Sequence, residues 1–116
     1  MALTKSRSAI TQLNATGQST TLSTGSSYSQ TLYIKQVNGS ATITVAAVAV
    51  VQVQTNGGSE WFDVARYQFG TTAGATTKKA CPLPDDAANV RIDYTHPTGG
   101  SGHTLDAEVG TVTSLI

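Results

Sequence analysis

Apolar and polar residues alternate along several short segments of this chain, as they do in strands that bury one face. The clearest case is residues 32–37, which lead into Asn38 and Gly39, a dipeptide that favours a two-residue type I′ turn because both central positions need positive φ. A hairpin closed there collects the apolar residues of 32–37 and 40–45 on one face. We therefore predict a hairpin at Asn38-Gly39, whose second strand continues and bends near residues 46–49 into a second sheet.

A second alternating pair of segments lies near the C-terminus. Residues 89–95 and 104–109 each carry apolar residues at every second position, and residues 96–103 connect them. In the register that keeps the apolar face continuous, Asp93 stands opposite Asp106. We predict this hairpin as well, with two carboxylates facing each other on its polar side.

Further short strands are predicted between these two regions. A turn at residues 56–59 precedes a strand over residues 60–69, which contains the Trp, both Phe and one Tyr and is expected to supply much of the core. Residues 76–83 form another strand, which ends at Pro82 and Pro84 because proline cannot donate a ladder hydrogen bond. No segment shows helical periodicity.

The predicted fold is all-β, a single antiparallel β-sandwich of Ig-like or jelly-roll type with about seven to nine short strands. Residues 1–19 are rich in Ser, Thr, Gln and Asn and contain few apolar residues. We therefore predict an extended N-terminal arm over residues 1–19 and a β-sandwich domain over residues 20–116.

Composition narrows the range of functions. The 116 residues include 19 Thr, 11 Ser and 11 Gly, and the seven basic and seven acidic residues give a net charge of zero. Binding to nucleic acid or to anionic lipid depends on clustered Lys and Arg, so we expect neither a nucleic-acid partner nor membrane association. The N-terminal segment has no secretory apolar run, and the chain is expected to stay in the cytoplasm where it is made.

Facing carboxylates are the sharpest chemical feature of the sequence, because such a pair shares a proton or holds a cation. Asp93 and Asp106, with Glu108 on the same strand face, are the candidates for an ion site. The alternative is a solvated polar face that Arg91 neutralises.

His96 and His103 flank a glycine-rich loop and would come together across the predicted hairpin, but two ligands do not make a metal site, and the glycines favour a flexible loop tip. Cys81 has no neighbouring His or basic cluster in the sequence and is expected to be buried or inert. The chain contains no nucleophile elbow, no glycine loop leading into a helix and no run of zinc ligands. We expect no enzyme activity, no metal and no cofactor.

Five segments of the chain suggest a family: MALTKSRSAITQLNATGQST, TLYIKQVNGSATITV, GGSEWFDVARYQFG, PLPDDAANVRIDYT and GHTLDAEVG. In these segments the chain resembles the small all-β structural proteins of tailed-bacteriophage virions, above all the capsid decoration, or cement, proteins. The resemblance implies a homo-oligomer, with a trimer favoured, that binds the major capsid protein on the assembled head and bridges neighbouring subunits. It also implies a location on the virion after synthesis in the host cytoplasm. The candidate subunit or capsid contacts are the terminal residues Leu3, Lys5, Arg7, Ile10, Leu13, Leu115 and Ile116.

Two other classes of function remain open. A tail, neck or fibre component that binds a receptor or carbohydrate would use Trp61, Tyr67 or Tyr94 together with the loop at residues 96–103. A hydrolase would need the two facing aspartates at an open cleft.

Overall fold

The computed structural model describes residues 3–23, 29–55 and 57–115, and the side chains of residues 7–23, 29–55 and 57–112. These residues form strands and loops and contain no helix, and therefore no helix that could cross a membrane. The nine strands are β1 (Leu3–Leu13), β2 (Gly17–Gln18), β3 (Leu22–Ser23), β4 (Ser29–Val37), β5 (Val48–Thr55), β6 (Phe62–Gln68), β7 (Thr76–Pro82), β8 (Ala87–Thr95) and β9 (Thr104–Leu115).

The strands form two antiparallel sheets that enclose one core. The four-stranded sheet has the order β1-β9-β4-β7, and the five-stranded sheet has the order β2-β8-β5-β6 with β3 also paired to β8. Burial alternates along β4, β5 and β8, because each of these strands turns every second side chain inward. The predicted β-sandwich is confirmed. Its inward side chains include Leu32, Ile34, Val51, Val90, Ile92, Tyr94, Leu105 and Val109.

Both predicted hairpins are wrong, because the strands on either side of each loop belong to different sheets. β4 pairs with β7 and β9, and β8 pairs with β5, β2 and β3. Each loop is an arch that carries the chain across the core to the opposite sheet. Apolar alternation identifies the buried face of a strand but not the strand it pairs with. Two consecutive strands bury the same faces whether they pair in one sheet or lie in two facing sheets. The chain does pass into a second sheet here, but over residues 38–47, before β5 begins, and not by the predicted bend of a continuous strand near residues 46–49.

The two arches, residues 38–47 and 96–103, contact each other and are called the arch pair below. Isolated bridges join Ser40 to Ser101 and Val45 to Thr98. The backbone N–H of Ser40 donates to the Ser101 carbonyl oxygen at 3.0 Å, and the Ser101 N–H donates back at 3.2 Å. The glycine-rich loop expected to be a flexible tip is therefore paired along its length with the other arch.

Glycine is needed in the arch pair for two different reasons. Positive φ, expected at Asn38 and Gly39, occurs instead at Ala41 (68°) in the first arch and at Gly99 (91°), Gly100 (72°) and Gly102 (79°) in the second, where glycine allows the chain to turn tightly. Gly39 is required by proximity, because a Cβ there would overlap the carbonyl oxygen of Ser101.

The N-terminal segment also differs from its prediction. Residues 1–19 were expected to form an arm outside the sandwich, yet Leu3–Leu13 is strand β1, paired along β9 at one edge of the four-stranded sheet. Ile10 is buried in the core and Leu13 packs against it. A strand with one buried face and one unpaired edge needs few apolar residues. The mostly polar composition of β1 therefore gave little indication that it forms a strand.

The aromatic residues are distributed differently from the prediction for residues 60–69. Phe69 is buried, whereas Phe62 on the edge strand β6 remains 51% exposed and Trp61 and Tyr67 are half-buried. The largest fully buried side chain is Tyr94, on the central strand β8. Central strands supply most of the core because they are covered on both sides, whereas an edge strand leaves part of each side chain in solvent.

Candidate functional site

A groove of about 540 Å³ crosses the outer face of the four-stranded sheet. This volume lies within the range of small-molecule sites. The side chains that face into it come from all four strands: Ala9 on β1, Asp106 and Glu108 on β9, Tyr33 and Lys35 on β4, and Lys78 and Ala80 on β7. These seven residues are called the groove below.

Strand register places the groove residues in two rows across the sheet. In one row Tyr33 lies between Glu108 and Ala80, and Ala9 follows beyond Glu108. In the other row Lys35 lies directly between Asp106 and Lys78. The rows are neighbours because their members are two positions apart on each strand and therefore share a face.

The Tyr33 ring is the aromatic surface of the groove, with 48% of the residue exposed. Gly110 on β9 provides space beside it, since a Cβ at Gly110 would lie 3.3 Å from Tyr33 Cε2. The neighbours of Tyr33 in its own row are an alanine on one side and a carboxylate on the other. The ring therefore stands in the open between a small apolar side chain and a hydrogen-bond acceptor.

The charged groups of the groove are only partly compensated. Gln12 Nε2 donates to Asp106 Oδ1 at 2.8 Å, and Arg7 Nε lies 3.5 Å from Glu108 Oε2. The Arg7 side chain is mostly exposed, so its ion pair contributes little to stability. Lys35 and Lys78 face each other across β4 and β7, and like charges directly opposite each other destabilise a sheet.

The outer face of the five-stranded sheet is organised differently, because its polar groups bind one another. The Arg91 guanidinium lies 4.0 Å from the Trp61 ring centroid, and its Nε donates to Gln52 Oε1 at 2.8 Å. Arg91 Nη1 donates to Gln18 at 3.2 Å, and Gln52 Nε2 donates to Asp63 at 2.9 Å. This polar ladder joins strands to one another and leaves one face of the Trp61 ring covered by a cation.

The predicted facing pair of aspartates does not exist. Asp93 lies on the outer face of the five-stranded sheet and Asp106 on the outer face of the four-stranded sheet, with the core between them. Glu108 does share a face with Asp106, but its ion pair is with Arg7, and Arg91 belongs to the opposite sheet. The expected neutralisation of the acidic cluster by Arg91 is therefore also wrong.

The two histidines do come together, with ring centroids 5.3 Å apart. His103 is 1% exposed; its Nδ1 accepts the Gly39 N–H at 2.9 Å, so its Nε2 carries the hydrogen and donates to the Gly99 carbonyl oxygen at 2.7 Å. Both ring nitrogens hold the arch pair together. Among the described residues, no three His, Cys, Asp or Glu side chains are placed to hold a metal ion.

The aromatic residues named for carbohydrate binding are buried or only partly exposed. Tyr94 is fully buried, Tyr67 packs against the core, and Arg91 covers the Trp61 ring. Burial raises the pKa of the Tyr67 phenol, and the neighbouring Cys81 thiol acts in the same direction. Cys81, expected to be buried or inert, is buried.

The candidate contact residues fall into three groups. Ile10 and Leu13 support the core, and Arg7 is exposed on the outer face of the four-stranded sheet. Leu3, Lys5 and Leu115 have described backbone pairing, with Leu3 opposite Leu115, but their side chains lie outside the described residues, as does the whole of Ile116.

Sequence reasoning missed the groove. The signal it contained was the outward position of Tyr33 and Lys35 within the alternation of residues 32–37, but the neighbours of β4 are distant in the chain and no local pattern identifies them. No protein-family model matches this chain, and no curated protein is significantly similar to it.

Proposed function

We propose that this chain is a non-enzymatic structural protein of a tailed-bacteriophage virion, which binds the major capsid protein on the assembled head and bridges neighbouring subunits. The observation that supports this best is a ribbon at one end of the sandwich. Among the described residues, β4 begins opposite Val112, at Ser29, and beyond that point β1 and β9 pair only with each other, up to Leu3 opposite Leu115. A two-stranded ribbon is marginally stable by itself in water, so contact with a neighbouring subunit would stabilise it.

This ribbon, residues 3–5 and 112–115, is called the terminal ribbon. It brings together candidate contacts from the two ends of the chain, Leu3 and Lys5 on β1 and Leu115 on β9, with Ile116 following in sequence. The terminal ribbon thus contains three of the seven candidate contacts.

The two edges of the four-stranded sheet suggest how copies associate. β7 carries Lys78, Lys79 and Pro82, and these residue types block the addition of a further strand. From Ser8 to Leu13, β1 carries no charge. The β1 edge is therefore the side on which we propose that a homo-oligomer forms, with a trimer favoured.

The location is tested by immunogold labelling of intact virions with an antibody raised against the folded chain. Label distributed over the head shell is the expected result, and label confined to the tail or neck would contradict a capsid role. Size-exclusion chromatography with light scattering gives the number of copies in the free protein.

The terminal ribbon is tested by deleting residues 1–5, a change limited to the ribbon because Ile10 and Leu13 belong to the core. Occupancy on decorated heads should fall at least tenfold while the melting temperature changes by only a few degrees. The matched control is Lys79→Gln, on the opposite edge, which should keep full occupancy. Equal occupancy of both variants would show that the terminal ribbon is not the capsid contact.

A further inference from the structure

The groove contains polar groups that have no partner among the described residues. The Tyr33 hydroxyl and the ammonium groups of Lys35 and Lys78 make no side-chain hydrogen bond or ion pair there. The polar ladder on the opposite sheet, by contrast, connects the side chains of Arg91 and Gln52 at 2.8 Å. The groove is therefore the outer face on which a ligand can form hydrogen bonds without breaking existing ones.

The two lysines indicate the charge of that ligand. Lys35 and Lys78 are directly opposite each other, and the one acidic neighbour in their row, Asp106, accepts a hydrogen bond from Gln12. The chain has only seven basic residues, so a like-charge pair is not forced on it by composition. An anion bound between the two ammonium groups would convert a destabilising pair into a favourable one.

The rest of the groove limits what else the ligand can be. Asp106 and Glu108 lie on β9, which borders β4 on the side opposite β7. Two carboxylates would repel a ligand charged at every unit, such as nucleic acid, but they accept hydrogen bonds from hydroxyl groups. The exposed Tyr33 ring offers a flat apolar surface with a polar edge.

We propose that the groove binds an acidic saccharide, with one sugar ring stacked on Tyr33, its carboxylate between Lys35 and Lys78, and hydroxyl groups donating to Asp106 and Glu108. A sugar acid combines an apolar ring face, one negative charge and several hydroxyl donors, which are the three features that the groove complements. An acidic peptide supplies the anion but fewer hydroxyl donors. The proposal is independent of a capsid location, since it concerns the isolated chain.

The test measures binding by the full-length protein with isothermal titration calorimetry at low salt. The probes are an aldotetraouronate that carries a single uronate, a hyaluronan tetrasaccharide and sialyllactose, each compared with a neutral oligosaccharide of equal length, together with a tetraglutamate peptide. At least one acidic saccharide should bind at least tenfold more tightly than its neutral counterpart and than the peptide. Failure of all three acidic saccharides to bind at millimolar concentration would overturn the proposal.

Variants then assign binding to the groove. Lys78→Gln and Tyr33→Ala should each weaken saccharide binding at least tenfold, whereas Arg66→Gln, which removes the same charge on β6, should leave it unchanged. Melting temperatures close to that of the parent protein show that the variants are folded. Equal loss for Lys78→Gln and Arg66→Gln would indicate nonspecific attraction, and tighter binding of tetraglutamate would make the groove a peptide site; either result contradicts the proposal.

Discussion

The arch pair and the groove differ in whether their polar side chains form hydrogen bonds within the protein or are open to solvent. In the arch pair, His103 uses both ring nitrogens, and Asn38 donates to the carbonyl oxygens of Gly70 and Thr72 at 3.0 and 2.9 Å. In the groove, Tyr33 and Lys35 leave their polar ends to solvent. A buried group without a partner costs about 1–3 kcal/mol, whereas water satisfies an exposed one. Complete internal bonding therefore indicates a structural role, and open groups indicate where a ligand can bind.

The internal bonding of the arch pair continues through the core. The Tyr94 hydroxyl donates to Gln36 Oε1 at 2.8 Å, and Gln36 Nε2 donates to Asn38 Oδ1 at 3.2 Å. Through Asn38 this chain of buried groups reaches the loop that precedes β7. No buried side-chain nitrogen or oxygen among the described residues lacks a partner.

The largest effect should come from separating the two arches. Gly39→Ala places a methyl group against the Ser101 carbonyl oxygen and should destabilise the fold by about 3 kcal/mol, the upper end of overpacking costs. Gly70→Ala is the matched control, because open space surrounds that position and the change should stay within about 0.5 kcal/mol. Urea unfolding of both variants measures the difference. Equal midpoints would mean that the arches do not depend on close contact at Gly39.

Removing one hydroxyl should distinguish the buried tyrosine from the exposed one. Tyr94→Phe leaves Gln36 Oε1 without its donor and should cost about 2 kcal/mol, whereas Tyr33→Phe should cost almost nothing. Chemical denaturation at pH 7 gives both values. A comparable loss for the two variants would remove the distinction between the two regions.

Tyr94→Phe should also change how the stability of the protein depends on alkaline pH. Burial raises the pKa of the Tyr94 phenol, and its hydrogen bond with Gln36 opposes that effect. The stabilisation that the raised pKa contributes is fully present below the pKa of the tyrosine in the unfolded chain, about 10. It is lost as pH rises through the higher pKa of the tyrosine in the folded protein. The parent should therefore lose stability more steeply above about pH 10 than Tyr94→Phe does. Because the pKa of Tyr67 is also raised, Tyr67→Phe serves to separate its contribution.

A smaller effect is expected on the outer face of the five-stranded sheet. Arg91→Ala removes two hydrogen bonds and the contact with Trp61 and should cost about 1 kcal/mol. Arg66→Ala, which removes a charge from the exposed edge strand β6, should be close to neutral. Thermal unfolding of the pair at matched ionic strength provides the comparison. Equal melting temperatures would show that the polar ladder does not stabilise the sheet.

The smallest effect has the opposite sign. Lys78→Glu replaces the like-charge pair with Lys35 by an ion pair and should stabilise the protein by about 0.5 kcal/mol at low salt. The gain should shrink in 1 M NaCl, where the Debye length is about 3 Å. Destabilisation by this change at low salt would mean that Lys35 and Lys78 do not repel each other in the folded protein.

Much of the architecture could be predicted from the sequence because burial alternates locally. Residues 32–37, 89–95 and 104–109 were assigned to strands with the correct inward face, and the β-sandwich followed from them. Strand β1 was missed because its apolar residues are sparse. The sequence also indicated that Cys81 is buried or inert, and the structure buries it.

By itself, the sequence determined the strands at residues 32–37, 89–95 and 104–109 and which of their faces turn inward. Strand pairing was decided by the tertiary structure, which sent β4 and β5, and likewise β8 and β9, to opposite sheets. The same decision placed Asp93 and Asp106 on opposite faces and assembled the groove from β1, β9, β4 and β7. The physical reason is that a strand's buried face depends on its own residues, whereas its partners depend on how two complete sheets pack around one core.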